Sequence, residues 1–369
     1  MSTLTIKTST LQNMMSKAVK GASNNKFNVL TSLMNVVLEN GTLKLTTTDT
    51  DNYLTVKQSG IAGDNMSFTV NVETFSKLVF KTSVEDIKIT ATNDNISVTG
   101  NGTYKIPIQL DVDGSPINYP DHVINNPDVE GSVKTAVIKT IVQYNKPSLS
   151  LTMEKPYLTK YMCVEDCVIS GDEYNVCRNT VQTFNTELLI SPIVMDLLCM
   201  CEEENIKYSI YENNVLFETE TMKLFASVPN EGIDEYPVDK IKMICDSTYT
   251  SDCVLPKTSL INVIDRLSLF INDDDQNGLY MTFTTNGVKI ESMKNDAIET
   301  IAYQGSNNFK DYTCCVGVDS LRKQLVARSG ESVHIYYGDP STLTIKEGNI
   351  TQVLSLQNDP RFENEEEGE

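Results

Sequence analysis

The stretch "DDDQNG" at 273–278 supplies Asp273, Asp275, Asn277 and Gly278 at the spacing of the first half of a calcium-binding loop. The twelfth position falls on Thr284 in place of a bidentate glutamate, and the stretch that follows Gly278, "LYMTFTT", alternates as a strand does, so a solvated hairpin turn is the expectation. "TDTD" at 48–51 pairs two carboxylates, but no histidine or nucleophile accompanies them, and the segment reads as a strand edge. Nine cysteines and two histidines, His122 and His334, complete the supply of metal ligands and nucleophiles. No two cysteines have CxxC spacing, so they read as reduced, mostly buried thiols rather than zinc ligands or disulfides. Neither a Walker A sequence nor a GxGxxG fingerprint occurs. No catalytic residue, metal or cofactor is expected.

What is left is charge. The 369 residues hold 30 Lys/Arg against 50 Asp/Glu, a net charge of −20, and an even spread of that charge would argue against a nucleic-acid partner. The spread is uneven. Six segments with the periodicity of amphipathic helices, 9–20, 73–81, 132–146, 187–201, 256–270 and 318–328, hold twelve cations and five acids, a balance of +7 against −27 for the rest. Lys17 and Lys20 oppose the apolar stripe of Leu11, Met14, Met15 and Ala18, and Lys139 and Lys146 share an edge with Thr135 and Gln143. Lysines on one helix are ordinarily a solvated face. Five of six helices leaning basic in an acidic chain fit a second reading, a helical surface for phosphate contact without base readout.

The elements that carry these cations recur. A hairpin pattern appears as "IKITATNDNISVTG" (87–100), "IKYSIYENNVLFET" (206–219) and, more loosely, "VHIYYGDPSTLTIK" (333–346), at offsets of 119 and 127 residues. A helix precedes each hairpin (73–81, 187–201, 319–328), and each copy opens on another (9–20, 132–146, 256–270). Copies one and two finish on Tyr119-Pro120 and Tyr236-Pro237, where proline is expected to end a strand. The domains expected are 1–124, 125–248 and 249–357, followed by a glutamate-rich tail, 358–369, that cannot form a core. Two helices and roughly eight strands per copy make an α+β architecture. With no secretory leader pattern and no run of 18 apolar residues, a cytoplasmic protein without membrane spans is expected.

In order and spacing the chain is similar to one family. "NVLTSLMNVVLENGTLKLTTTDTDNYLTV" (28–56) and "FTVNVETFSKLV" (68–79) in the first copy look like its inner helix and apolar strands. "LPKTSLINVIDRLSLFINDDDQNGLYMTF" (255–283) and "CVGVDSLRKQLVA" (315–327) do so in the third. Over residues 4–357 the chain resembles the bacterial and bacteriophage DNA polymerase III β sliding clamps, and its polar, divergent character suggests a phage-encoded one. No single short motif carries the likeness; the arrangement over three repeats does.

The resemblance implies a ring-forming clamp fold, with two helices inside and antiparallel sheets outside in each domain. It implies a head-to-tail homodimer that encircles duplex DNA and serves as the non-catalytic processivity subunit of a replicative polymerase, with a clamp loader as a further partner. DNA contact falls to Lys17, Lys20, Lys26, Lys77, Lys81, Lys134, Lys139, Lys146, Arg266, Arg322 and Lys323, with Tyr157 matching a family tyrosine near the duplex. Glu73 and Asn24 stand where a basic residue is common. The subunit contact matches Tyr104, Ile106 and Ile108 against Leu269 and Phe270, the last two being core residues on the alternative reading. A partner-peptide cleft matches Leu158, Ser170, Asp172, Tyr174, Asn175, Pro237, Ile241, Lys242, Leu354 and Leu356. Its loop "SGDEYN" (170–175) is acidic where many clamps have Gly-His-Arg-Leu, which implies altered specificity toward more basic partner motifs. The competing reading is a triplicated β-rich structural or ligand-binding protein without DNA function.

Overall fold

The computed structural model describes residues 1–358 except 24, 26, 272–276, 295, 308 and 340. Asn24, Lys26, the aspartates of the calcium-like stretch and the acidic tail from 359 lie outside the described residues. Twenty-six strands are described, in antiparallel sheets. The α-helices described are α1 (Thr8–Ala18), α2 (Val72–Lys81), α3 (Thr135–Asn145), α4 (Pro192–Leu198), α5 (Val238–Cys245), α6 (Lys257–Leu267) and α7 (Val318–Ala327).

Backbone packing divides the chain into two compact units, 1–138 with 193–229, and 139–192 with 230 onward. The first holds a five-stranded and an eight-stranded sheet, the second a nine-stranded and a four-stranded sheet. In the first unit, strand Met222–Ser227 pairs with Asn52–Ser59, so one sheet joins strands of the first two copies of the repeat. In the second unit, Asn175–Asn179 pairs with Ile350–Ser355 and joins strands of the last two.

The repeat is visible in the register. Strands Ser2–Lys7, Val129–Lys134 and Ser251–Pro256 each pair over six positions with the first strand of their hairpin, Lys7 opposite Asp86, Lys134 opposite Asn205, Pro256 opposite Ser332. A helix begins at the next residue each time, and its first N–H donates to a glutamate carbonyl: Thr8 to Glu85 (2.8 Å), Thr135 to Glu204 (2.9 Å), Lys257 to Glu331 (2.9 Å). One otherwise unsatisfied N-terminal donor is paired in the same way in all three copies.

Elsewhere the elements depart from expectation. The segment 132–146 starts as strand, because Ser132–Lys134 pair with Asn205–Lys207 before the chain turns helical at Thr135. The helix expected over 187–201 is confined to α4, since Leu188–Ile190 pair with Tyr161–Cys163 and Pro192 opens the helix. Pro237 ends no strand; it is the N-cap of α5, where its fixed φ suits helix entry and its missing N–H costs nothing. Tyr119 also lies outside a strand and donates its hydroxyl to the carbonyls of Leu30 (3.0 Å) and Leu33 (2.8 Å). "TDTD" is a turn rather than a strand edge, with Asp49 accepting the N–H groups of Asp51 and Asn52.

The apolar stripes face inward. Helix α1 buries Leu11, Met14, Met15 and Ala18, and α6 buries Leu260, Val263, Ile264 and Leu267. In the second unit the latter pack in one core with Phe283 and Tyr337, whose rings stack at 3.9 Å. The cysteines are thiols, eight of them buried, and burial pushes Cys163, Cys167 and Cys253 up to about 12, away from reactivity. His122 stacks on Phe225 at 4.2 Å and His334 meets Asp252 at 2.7 Å. Among the described residues no cluster of three metal-ligating side chains occurs, and no helix is long and apolar enough to cross a membrane.

Glu203 sits at the entry to α3. Its carbonyl accepts the Thr135 hydroxyl (2.5 Å), and its carboxylate accepts the Thr221 N–H (2.8 Å) and hydroxyl (2.7 Å). Burial alone would raise its pKa, but the Thr221 donors outweigh it and hold the carboxyl at about 2. A depressed folded value means stability present in full above the unfolded value near 4.5 and lost as pH falls toward 2. Urea titrations of Glu203→Gln are expected to show a shallower loss of stability across that window than the parent chain, and an unchanged slope would reject this role.

Candidate nucleic-acid interface and partner cleft

In the first unit, the amide of Gln12 on α1 donates to the α2 end carbonyls Val79 (3.0 Å) and Thr82 (3.1 Å), tying the two helices together. Lys20, in the turn after α1, Lys77 and Lys81 on α2, and Lys134 at its strand end are exposed. Lys17 is only 13% exposed and pairs with Glu202 at 2.6 Å, and Lys77 pairs with Glu73 one turn away.

In the second unit, Arg322 of α7 meets Asp265 of α6 (2.5 Å), and Arg266 forms a bidentate pair with Glu299 (2.7 and 2.6 Å). Lys139, Lys146 and Lys323 are exposed. Among the described residues, Lys17, Lys77, Arg266 and Arg322 each carry an acidic partner. Among the described residues, Lys20, Lys81, Lys134 and Lys323 are exposed and carry no ion pair. Two of the neutralising acids, Glu202 and Glu299, lie outside the helices and are invisible to helix-by-helix charge counting.

A buried polar network ties α7 to the end of α3. Gln143 donates to the Ala327 carbonyl (2.7 Å), Gln324 to Ser148 (2.9 Å) and Gln352 to the Tyr144 carbonyl (2.9 Å). Arg328, 3% exposed, donates to Gln352 and lies over the Tyr144 ring at 5.4 Å, with Glu347 at 3.7 Å. Burial pulls its pKa below the usual guanidinium value while Glu347 opposes the shift.

Also in the second unit, a cavity of about 490 Å³ has an apolar floor of Leu158, Val176, Ile241, Ile244 and Val353. Sequence-predicted Leu158, Asp172, Tyr174, Pro237 and Ile241 line it together. Tyr157 is there too, edge-on to Tyr236 at 5.9 Å, rather than on a helix face with the lysines. Gly232, at φ +90°, packs against Tyr157 so closely that a Cβ would come within 2.8 Å of it. Ser170 is not at the cavity: it is fully buried and donates to the Asn145 carbonyl at 2.7 Å. Leu354 and Leu356 also turn away. Alternation along the last strand sends Val353 and Ser355 to the cavity, while Leu354 is buried in the α6–α7 core and Leu356 packs against it. Asn175 lines a neighbouring cavity.

The acidic loop is less available than its composition suggests. Asp172 accepts the N–H groups of Tyr174 (2.7 Å) and Asn175 (2.6 Å), and Glu173 pairs with Lys155 (2.7 Å). With Lys240 also on the rim, the lining charges balance, and Lys242 is drawn to Asp166 at 2.8 Å. The expected bias toward basic partners therefore loses its basis.

With this geometry in view, three solved structures are informative. The DNA polymerase sliding clamp from Bacillus subtilis superimposes with a TM-score of 0.82 at 15% identity, over 97% of this chain and 99% of that one. The beta subunit from DNA polymerase of Streptococcus pyogenes gives 0.83 at 15% identity, over 96% and 100%. The DNA polymerase III beta subunit of Thermotoga maritima gives 0.82 at 13%, over 97% and 100%. The chain has the sliding-clamp fold. No family model matches its sequence, and no curated protein does.

The residues expected at a subunit contact lie elsewhere in the sliding-clamp fold. Strand Thr103–Pro107 is the outer strand of the five-stranded sheet, with Tyr104 exposed, Ile108 half-buried just beyond it, and Ile106 turned into its own unit at 4% exposure. In the other unit, Leu269 and Phe270 are 80% and 48% exposed in the 3-10 turn after α6, so they are not core residues.

Proposed function

We propose that this chain is a DNA sliding clamp, a phage-encoded processivity subunit that encircles duplex DNA and tethers a replicative polymerase in the host cytoplasm. The observation that carries the reading is the correspondence with bacterial clamps over nearly the whole of both chains, at TM-scores above 0.8. Three domains, 1–124, 125–248 and 249–357, supply the inner helices, and two subunits close the ring. Its exposed cations on and beside the helices meet phosphates without reading bases. Tyr104 and Ile108 on the open strand edge of one subunit face Leu269 and Phe270 of the next, a heterologous contact that closes by rotation. The Leu158–Ile241 cavity takes an apolar segment of the polymerase or of the clamp loader. Tethering then keeps the polymerase at high effective concentration at the primer end.

The test is topological. Loaded onto a nicked circle, the protein should be retained through gel filtration and then lost once the circle is cut. Equal rates of loss from circular and linear DNA would overturn the reading.

A further inference from the structure

A cavity of about 330 Å³ opens on one face of the eight-stranded sheet, wholly within the first unit. Lys44, Lys57 and Lys223 line it together with the rings of Tyr53, His122 and Phe225. His122 lies 4.3 Å from Tyr53 and 4.2 Å from Phe225, so its loop closes one side. Two of the amines have acidic partners, Lys223 with Asp121 at 2.6 Å and Lys44 with Glu39 at 3.6 Å. Lys57 is half-buried and, among the described residues, holds no ion pair.

The register sets Lys57 directly opposite Lys44 across the antiparallel pair Thr42–Thr48 and Asn52–Ser59. Like charges that face each other across a ladder destabilise it. On the other side, Lys223 stands opposite Thr55, two positions along from Lys57. The Lys57 N–H donates to the Thr221 carbonyl at 2.7 Å, which holds this backbone in place. Burial disfavours the charged amine, and so do Lys223 and Lys44, while Glu218 and Asp121 favour it; the balance lowers the Lys57 pKa from the ordinary lysine value. An amine more often uncharged, set in the wall of an open cavity, is a nucleophile.

We propose that Lys57 is an acylation site, its amine taking a small acyl group from an acyl phosphate inside this cavity. The uncharged nitrogen attacks the carbonyl carbon, and a C–N bond forms as the C–O bond to phosphate breaks. Inorganic phosphate leaves with the electron pair, and the proton of the nitrogen passes to solvent. The rings of Tyr53 and Phe225 offer the acyl chain an apolar wall. The product is a neutral amide, so acylation removes the repulsion between Lys57 and Lys44 on a strand that joins two copies of the repeat. The modification is independent of the clamp reading.

Acetylation of the full chain by acetyl phosphate, with peptide mapping at timed intervals, tests this. Near neutral pH, Lys57 should be acetylated severalfold faster than Lys81 and Lys88, which are exposed and hold no ion pair among the described residues. The lead should shrink as pH rises, because the exposed amines then lose their protons too. It should vanish in concentrated urea, where Lys57 no longer faces Lys44. Lys44→Gln removes the facing charge and should slow Lys57 about twofold while leaving Lys88 unchanged. A Lys57 rate at or below that of Lys81 and Lys88 in the folded chain would overturn the proposal, as would a lead that persists in urea. A Lys57 rate indifferent to Lys44→Gln would also overturn it, since the facing charge would then have no part in the reactivity. The first two comparisons use the parent chain alone and hold whatever the stability of the variant.

Discussion

Replacing Arg328 with alanine is expected to destabilise the second unit by about 3–5 kcal/mol, as when one partner of a buried charged network is deleted. The guanidinium is 3% exposed, and its loss strands the Gln352 side-chain oxygen and removes the cation held over Tyr144. An unsatisfied buried acceptor costs about 1–3 kcal/mol, and the space left by the arginine stem adds to that. Glu347 suffers less, because it keeps bonds from the Ser329 hydroxyl (2.8 Å) and the Gly330 N–H (3.1 Å). Arg328→Met keeps the stem volume and removes a costly buried charge, so it should lose only about 1–3 kcal/mol. Equilibrium urea unfolding of both variants checks the order. Equal losses would show that packing volume is irrelevant at this position, and a stabilised alanine variant would reject the network as a structural tie.

The second large effect concerns DNA. Replacing Lys20, Lys81, Lys134 and Lys323 together with glutamine should reduce the slope of log K against log salt by about 3–4 per chain, at about 0.9 for each phosphate no longer neutralised. Over a fourfold change of salt, that is on the order of a hundredfold less variation in affinity. These four are chosen because they are exposed and carry no ion pair among the described residues. The same change at Lys17, Lys77, Arg266 and Arg322 should shift the slope much less, since each already holds a carboxylate. Binding titrations across a salt series separate the two sets. If the first set leaves the slope where it was, these four exposed cations do not meet phosphates.

The repeat was legible because one register recurs: a six-residue strand, a helix beginning at the next residue, and a hairpin whose first strand returns to pair with that strand. The Glu85, Glu204 and Glu331 carbonyls mark the same point of each copy. What periodicity cannot see is the partner. Residues 132–134 look helical by pattern but are held as strand by 205–207. Helix α5 is short and starts at a proline that reads equally well as a strand end, although Ile241, Ile244 and Cys245 already have helical spacing. At the cleft, a one-residue parity decided everything for the last strand, since pairing with 175–179 points Val353 rather than Leu354 at the cavity. The ion pairs of Lys17 and Arg266 join residues 185 and 33 positions apart, distances over which local pattern carries no information.

The two seams between copies also set an order of events during synthesis. Asn52 pairs with Ala226 and Asn175 with Leu354, so each large sheet stays incomplete until more than 170 further residues have left the ribosome. At about 5–20 residues per second, the edge of Asn52–Ser59 waits on the order of ten seconds or more for its partner. That interval is long compared with hairpin formation, which takes microseconds. A nascent chain therefore carries an open β edge through much of its translation, and crowded ribosomes making this protein offer one another the same edge. Its yield in a cell should depend on what shields that edge as much as on the stability of the finished fold.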